Sequence, residues 1–134
     1  MFVPHKNAAG NVIPWEYLPA GAITPKVGMA LTQSSGNFAI ATGTTKPTYI
    51  SMIETTAALT AGTMIPVIRV DHDTIYETTN QASFESIKRG DKVTLHTDGM
   101  QVTATKTSGV AEVVDFDDVA ASGAGGKVWV RFPD

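Results

Sequence analysis

Two hairpin signatures, 64 residues apart in the chain, constrain the fold more than any other feature. In Ile87 to Thr105, IKRGDKVTLHTDGMQVTAT, apolar and polar residues alternate on both sides of Asp98-Gly99. A two-residue type I′ turn there sets Leu95 against Val102, Thr94 against Thr103 and Val93 against Ala104. Val93, Leu95, Met100, Val102 and Ala104 then share one face of a strand pair, and the polar side chains share the other. The stretch Ile23 to Thr42, ITPKVGMALTQSSGNFAIAT, repeats the arrangement. It sets Val27, Met29 and Leu31 against Phe38 and Ile40 across a Ser-Ser-Gly-Asn turn, with Leu31 and Phe38 at the spacing of Leu95 and Val102.

Each hairpin is followed by an apolar strand, Tyr49 to Ile53 or Val110 to Val114, and then by an Ala/Gly-rich loop. Each half closes on an alternating strand, MIPVIRV (Met64 to Val70) or KVWVRF (Lys127 to Phe132). The pattern predicts an all-β chain, a small barrel or sandwich of two repeated four-strand modules at about 23–70 and 87–132. Neither module buries its apolar face alone, so the two are expected to close over a shared interior. The linker DHDTIYETTNQASFES is expected to add a strand near Ile75-Tyr76 and a short helical turn near Ser83 to Ser86. Eighteen threonines support strands, and 12 glycines and 7 prolines work against long helices.

Residues 1–22 differ from the single β domain expected over 23–134. Pro4, Pro14 and Pro19 keep this segment out of central strands, yet Phe2, Val3, Ile13, Trp15, Tyr17 and Leu18 are too apolar for a free linker. An extended Pro-rich arm that docks on its own domain or on a neighbour satisfies both facts. In KVWVRF, Val128, Val130 and Phe132 take one face, which leaves Trp129 on the other and in need of cover. Phe2, Trp15, Tyr17 and Trp129 are therefore the candidate partner-binding residues.

No catalytic, cofactor or metal constellation stands out. Arg89-Gly90-Asp91 sits at a strand entry, where Gly90 suits a tight corner and Asp91 can cap it, so a structural role is expected in place of receptor binding. In Asp71-His72-Asp73 the histidine points away from the two carboxylates if the segment is a strand. Asp115, Asp117 and Asp118 lack the ligand spacing of a calcium loop. ASGAGGK (Ala121 to Lys127) lacks the phosphate-loop spacing and leads into a strand. No Gly-x-Ser-x-Gly elbow is present. Zero cysteines exclude disulfides, and a net charge of −3 argues against nucleic acid as the main partner. The N-terminal stretch lacks a signal-peptide core and no apolar window is long enough to span a bilayer, so a protein made and kept inside a cell, or packed into something assembled there, is expected, without a membrane partner. IKRGDKVTL is also similar to the entry of lipoyl- and biotinyl-carrier domains, but the turns Ser34-Ser35 and Asp98-Gly99 lack the lysine those carriers modify.

In order and spacing, AGAITPKVGMALT, IKRGDKVTLHTDGMQVTATKTSGVAEVV and GGKVWVRF resemble the small capsid decoration proteins of tailed phages and prophages. The resemblance covers about residues 20–134. The chain departs from the pattern in having Val27-Gly28 where the second half has Gly90-Asp91, and in its Pro-rich arm. The resemblance implies a non-enzymatic virion protein, made in the bacterial host cytoplasm and placed on the virion surface. It implies a homo-oligomer, a trimer in particular, that clamps the major capsid protein without any cofactor. Two other readings stand beside it: a different phage structural or carbohydrate-binding β module, and a small β-barrel enzyme.

Overall fold

A computed structural model describes residues 1–10 and 12–134. The expected arm is thus covered apart from Asn11. The chain is all-β, 39% strand and 2% helix. Among the described residues ten strands follow one another: β1 (Val3–Asn7), β2 (Trp15–Pro19), β3 (Ala30–Ser34), β4 (Asn37–Ile40), β5 (Tyr49–Ser51), β6 (Met64–Arg69), β7 (Thr74–Thr79), β8 (Lys92–Val93), β9 (Ala111–Phe116) and β10 (Lys127–Arg131). A 3₁₀ turn, Ala120–Ser122, precedes β10. The strands form two antiparallel sheets of five, ordered β1-β7-β10-β9-β8 and β2-β6-β5-β3-β4.

Alternation explains how the sheets meet. Thr74, Tyr76 and Thr78 of β7 are buried while their neighbours are partly exposed, and Val128 and Val130 of β10 point the same way. These side chains join Val113, Phe132 and Phe2 in the core of the first sheet. Ala30, Ile50 and Ile68 reach the same core from the second sheet. The second sheet also has an apolar opposite face. Leu31, Phe38, Tyr49, Ile65 and Val67 form a separate cluster there, with Leu18, Ile23 and Leu59 packed on it. An Ala20–Phe38 bridge, with the Gly21 N–H donating to the Phe38 carbonyl at 2.9 Å, returns the last strand of that sheet toward its first. The second sheet therefore curls around its own cluster. β3, β5 and β6 each serve both interiors, which is why Ile65 through Ile68 of β6 are all buried.

The four residues expected at one shared interior are all buried but divided between two. Leu95 and Val102 lie in the inter-sheet core; Leu31 and Phe38 fill the curled sheet. The halves agree in strand order, β3-β5-β6 and β8-β9-β10, and part company at the hairpins. In the first hairpin Ser35 (φ 51°) and Gly36 (φ 84°) make the tight mirror-image turn between Ser34 and Asn37. Leu31 consequently faces Ile40, two positions beyond the expected Phe38, a slip that leaves Met29, Leu31, Phe38 and Ile40 on their expected face, whereas Val27 lies outside the strand and is 39% exposed.

In the second hairpin Leu95 does face Val102, but the type I′ turn expected at Asp98-Gly99 does not form. Only Gly99 has positive φ (68°), and its N–H donates to the His96 carbonyl at 3.0 Å. The reason is tertiary. The Gly99 carbonyl accepts from the Ala30 N–H at 2.8 Å, so the loop is opened to dock on the other sheet. The helical turn expected near Ser83 to Ser86 is a simple reverse turn instead, with the Ile87 N–H donating to the Phe84 carbonyl at 2.9 Å. Phe84 and Ile87 are both buried by it.

Residues 1–22 do not lie across the domain as one strap. They divide, β1 pairing with β7 at the edge of one sheet and β2 pairing with β6 at the edge of the other. A register shift between Pro4 and Lys6 interrupts β1, and Pro14 and Pro19 bracket β2, devices that shorten an open edge.

Candidate partner-docking surface

The four candidate residues fall into three environments. Phe2 is not a surface residue. It is fully buried, meets Phe132 edge-on at 5.7 Å between ring centroids, and its N–H donates to the Gly28 carbonyl at 2.8 Å. Gly28 makes this seat: a Cβ there would stand 2.1 Å from the Met1 Cγ. Phe2 thus serves the fold, because an aromatic ring gains more from the inter-sheet core than from water.

Trp129 is partly covered from within the chain. It lies opposite Glu77 on β7 and Asp115 on β9, with the His5 ring of β1 at 6.0 Å. Its indole N–H is buried without a hydrogen-bond partner among the described residues.

Trp15 and Tyr17 remain in solvent, 58% and 61% exposed. As alternate residues of one strand they share a face, and Met64, 56% exposed, stands across from Pro19 at the end of the same pair of strands. The result is an apolar stripe on β2 and β6. Its main chain is open as well. Pro66 lies opposite Tyr17 and its carbonyl accepts from the Met52 N–H at 3.0 Å, so the Pro66 peptide faces β5. In an antiparallel pair the residue opposite then directs its own N–H and C=O away from β6. Tyr17 and, two residues earlier, Trp15 therefore present backbone groups at the free edge. The Ala20–Phe38 bridge closes that edge beyond Pro19.

Other polar clusters singled out by the sequence are engaged structurally. Arg89 Nε donates to Asp115 Oδ1 at 2.7 Å, one of its terminal nitrogens donates to the Phe116 carbonyl at 3.2 Å and to Asp118 Oδ2 at 3.4 Å, and its guanidinium lies 4.7 Å from the Phe116 ring centroid. Asp91 Oδ2 accepts from the Lys88 N–H at 2.9 Å, and Gly90 has φ 95°. The Arg-Gly-Asp tripeptide is thereby tied into a strand entry. The Arg89 hydrogen bond, helped by one from the Phe116 N–H, holds the Asp115 carboxyl below the usual carboxylate range. Asp117 caps the 3₁₀ turn, accepting from the Val119 and Ala120 N–H groups at 3.1 and 3.0 Å. Asp71 Oδ1 accepts from the Asp73 N–H and the Thr74 hydroxyl, while His72 pairs with Asp73 and Asp134 at 3.3 and 3.2 Å. Among the described residues no three His, Cys, Asp or Glu side chains gather as metal ligands would.

Two contributors escaped sequence reasoning. Met64 joins the stripe through the β2–β6 register, a long-range pairing with no local signature. Asn80 lay in a segment read as linker, yet it is fully buried, its amide nitrogen lying within 2.7–3.0 Å of the Ala82, Ala121 and Gly123 carbonyls. The chain matches no model of a protein family, and no curated protein matches it in sequence.

Proposed function

We propose that the chain is a structural virion protein that binds the outside of a phage or prophage capsid and stabilises it, with the major capsid protein as its partner. The observation that supports this reading best is the Trp15–Tyr17–Met64 stripe, an apolar row beside open backbone groups at one sheet edge. Exposed aromatics are the residues that dominate protein interfaces when they are covered. The reading needs no cofactor and treats the protein as a binding module, placed on the virion surface.

Co-sedimentation with expanded, DNA-free heads of the phage that encodes the chain tests it. The full chain should pellet with the heads, and the Trp15→Ser/Tyr17→Ser double variant should remain in the supernatant with an unchanged melting temperature. Failure of the full chain to pellet would overturn the proposal.

One observation favours a second reading, a carbohydrate-binding module. Trp15 and Tyr17 are two exposed aromatic rings in a row, the kind of platform on which sugar rings stack. Saturable glycan binding by the full chain, lost in the same double variant, would put that reading first.

A further inference from the structure

We propose that β2 pairs with β2 of a second copy of the chain, edge to edge about a two-fold axis at Glu16. The inference concerns what covers this edge in the free protein, so it goes beyond the capsid reading and does not depend on it. The backbone selects the class of partner. Trp15 and Tyr17 each turn an N–H and a C=O toward the free edge, and among the described residues no strand lies beyond β2. A row of alternating donors and acceptors is matched by another extended strand. The remaining edges are blunted. A register shift interrupts β1, β8 is a strand of 2 residues, and Phe38 of β4 is bridged to Ala20.

The residues of the edge select the second copy. Run antiparallel against itself, with Trp15 opposite Tyr17 of the second copy and Tyr17 opposite its Trp15, the strand satisfies every backbone group those residues turn outward. The neighbouring registers do worse. One brings Pro19, which has no N–H, opposite Trp15 and leaves the Trp15 carbonyl without a donor. The other needs Ile13, which is packed against the inter-sheet core. Residues directly opposite share a face, so each Trp15 ring lies beside the Tyr17 ring of the other copy, and side chains 58% and 61% exposed cover one another. On the opposite face Glu16 meets Glu16 of the second copy. Each carboxylate already stands 3.7 Å from its own Arg69, so the group brought together is neutral overall. The rings alone bury on the order of 600 Å², below the roughly 1,200 Å² of a standard interface, which makes the dimer weak, with a Kd on the order of 10–100 μM.

Sedimentation velocity of the full chain from about 5 to about 500 μM, a range that brackets such a Kd, provides the first test. The expected result is a rise with concentration from the mass of one chain to that of two. Tyr17→Pro removes an N–H that points away from β6, so the β2–β6 ladder stays whole while the dimer weakens about tenfold or more. The register has its own test, because the chain contains no cysteine. The thiol of Glu16→Cys meets its copy across a non-hydrogen-bonded pair, about 4.5 Å between Cα atoms, and should form a disulfide-linked dimer under a mild oxidant. Val119→Cys, at a site 85% exposed but not on β2, should link far more slowly. A single-chain mass throughout, the mass of three chains, a dimer unaffected by Tyr17→Pro, or equally fast linkage at positions 16 and 119 would each overturn the pairing. Dimers that do not pellet with heads would support it and overturn the capsid reading alone.

Discussion

The side-chain oxygen of Asn80 accepts a hydrogen bond from the Gly126 N–H at 2.7 Å, joining points 46 residues apart. On its other side the same amide serves the carbonyls of Ala82, Ala121 and Gly123, so one fully buried side chain fastens the end of β7 to the loop that launches β10. Buried amides used this fully are costly to replace, because each abandoned partner keeps its desolvation penalty. Asn80→Leu should lower unfolding stability by about 3 kcal/mol in urea titration. A loss below about 1 kcal/mol would mean that water satisfies the loop instead.

Phe2 and Val3 are adjacent and should behave oppositely. Phe2 is fully buried against Phe132, while Val3 is 42% exposed. Phe2→Ala should cost about 3–5 kcal/mol and Val3→Ala less than about 0.5 kcal/mol, measured by denaturant midpoint. Similar small effects would show that the first residues do not contribute to the core in solution.

Tyr76 is an unusual core residue. It is fully buried and its hydroxyl finds no hydrogen-bond partner among the described residues, although Thr74 and Asp71 are nearby. Burial, with a smaller contribution from the Asp71 charge, pushes its pKa up to about 12. Because the folded value lies above the ordinary tyrosine value of about 10, this contribution is complete below pH ~10 and is lost as pH rises toward 12. Phenolate absorbance from Tyr76 should therefore appear together with alkaline unfolding. Tyr76→Phe should leave stability at neutral pH unchanged or raise it by up to about 1 kcal/mol, since the lost hydroxyl has no partner to abandon. A clear loss of stability would reveal a hydrogen bond in solution.

Asp115 works in the opposite sense. Its pKa is depressed, first by the Arg89 hydrogen bond, so the stabilisation is present above the ordinary carboxylate range and is lost as pH falls through the lower folded value. In Arg89→Gln the Asp115 carboxyl, followed by carbon NMR, should titrate closer to that ordinary range. An unmoved titration would assign the shift to the Phe116 N–H alone.

Gly109 and Gly36 separate packing from backbone strain. A Cβ at Gly109 would stand 2.3 Å from the Lys92 carbonyl group, whereas Gly36 has φ 84° and open space around it. Gly109→Ala should cost about 3 kcal/mol and Gly36→Ala about 1 kcal/mol by thermal melting. Equal losses would show that the chain can move away from Gly109 without penalty.

The strands that alternate were legible in the sequence. Lys127 to Phe132 buries Val128, Val130 and Phe132, and Leu95 faces Val102, because period-two patterning is local and binary. What the pattern could not show is how many interiors the apolar faces fill. Val67 and Ile68 are neighbours in one apolar run; alternation points them to opposite faces, and only the curl of the second sheet makes both faces interiors. Tertiary contact also overruled turn chemistry at Asp98-Gly99, where a bond to Ala30 outweighs the local preference. Of the candidate surface, Trp15 and Tyr17 could be picked out by their type and the prolines around them. The burial of Phe2 could not, since its partner Phe132 lies at the far end of the sequence.

β10 runs between β7 and β9 although it is the last strand in chain order. On a ribosome, β7 with β1 and β9 with β8 are therefore two separate ribbons, each with one edge waiting for residues 127–131. The seam closes only once that final strand has emerged, by long-range pairing of the kind that slows folding. Nascent chains stalled before Lys127 should be the species most prone to stick to one another, since each ribbon then carries the bare side that residues 127–131 cover in the finished fold.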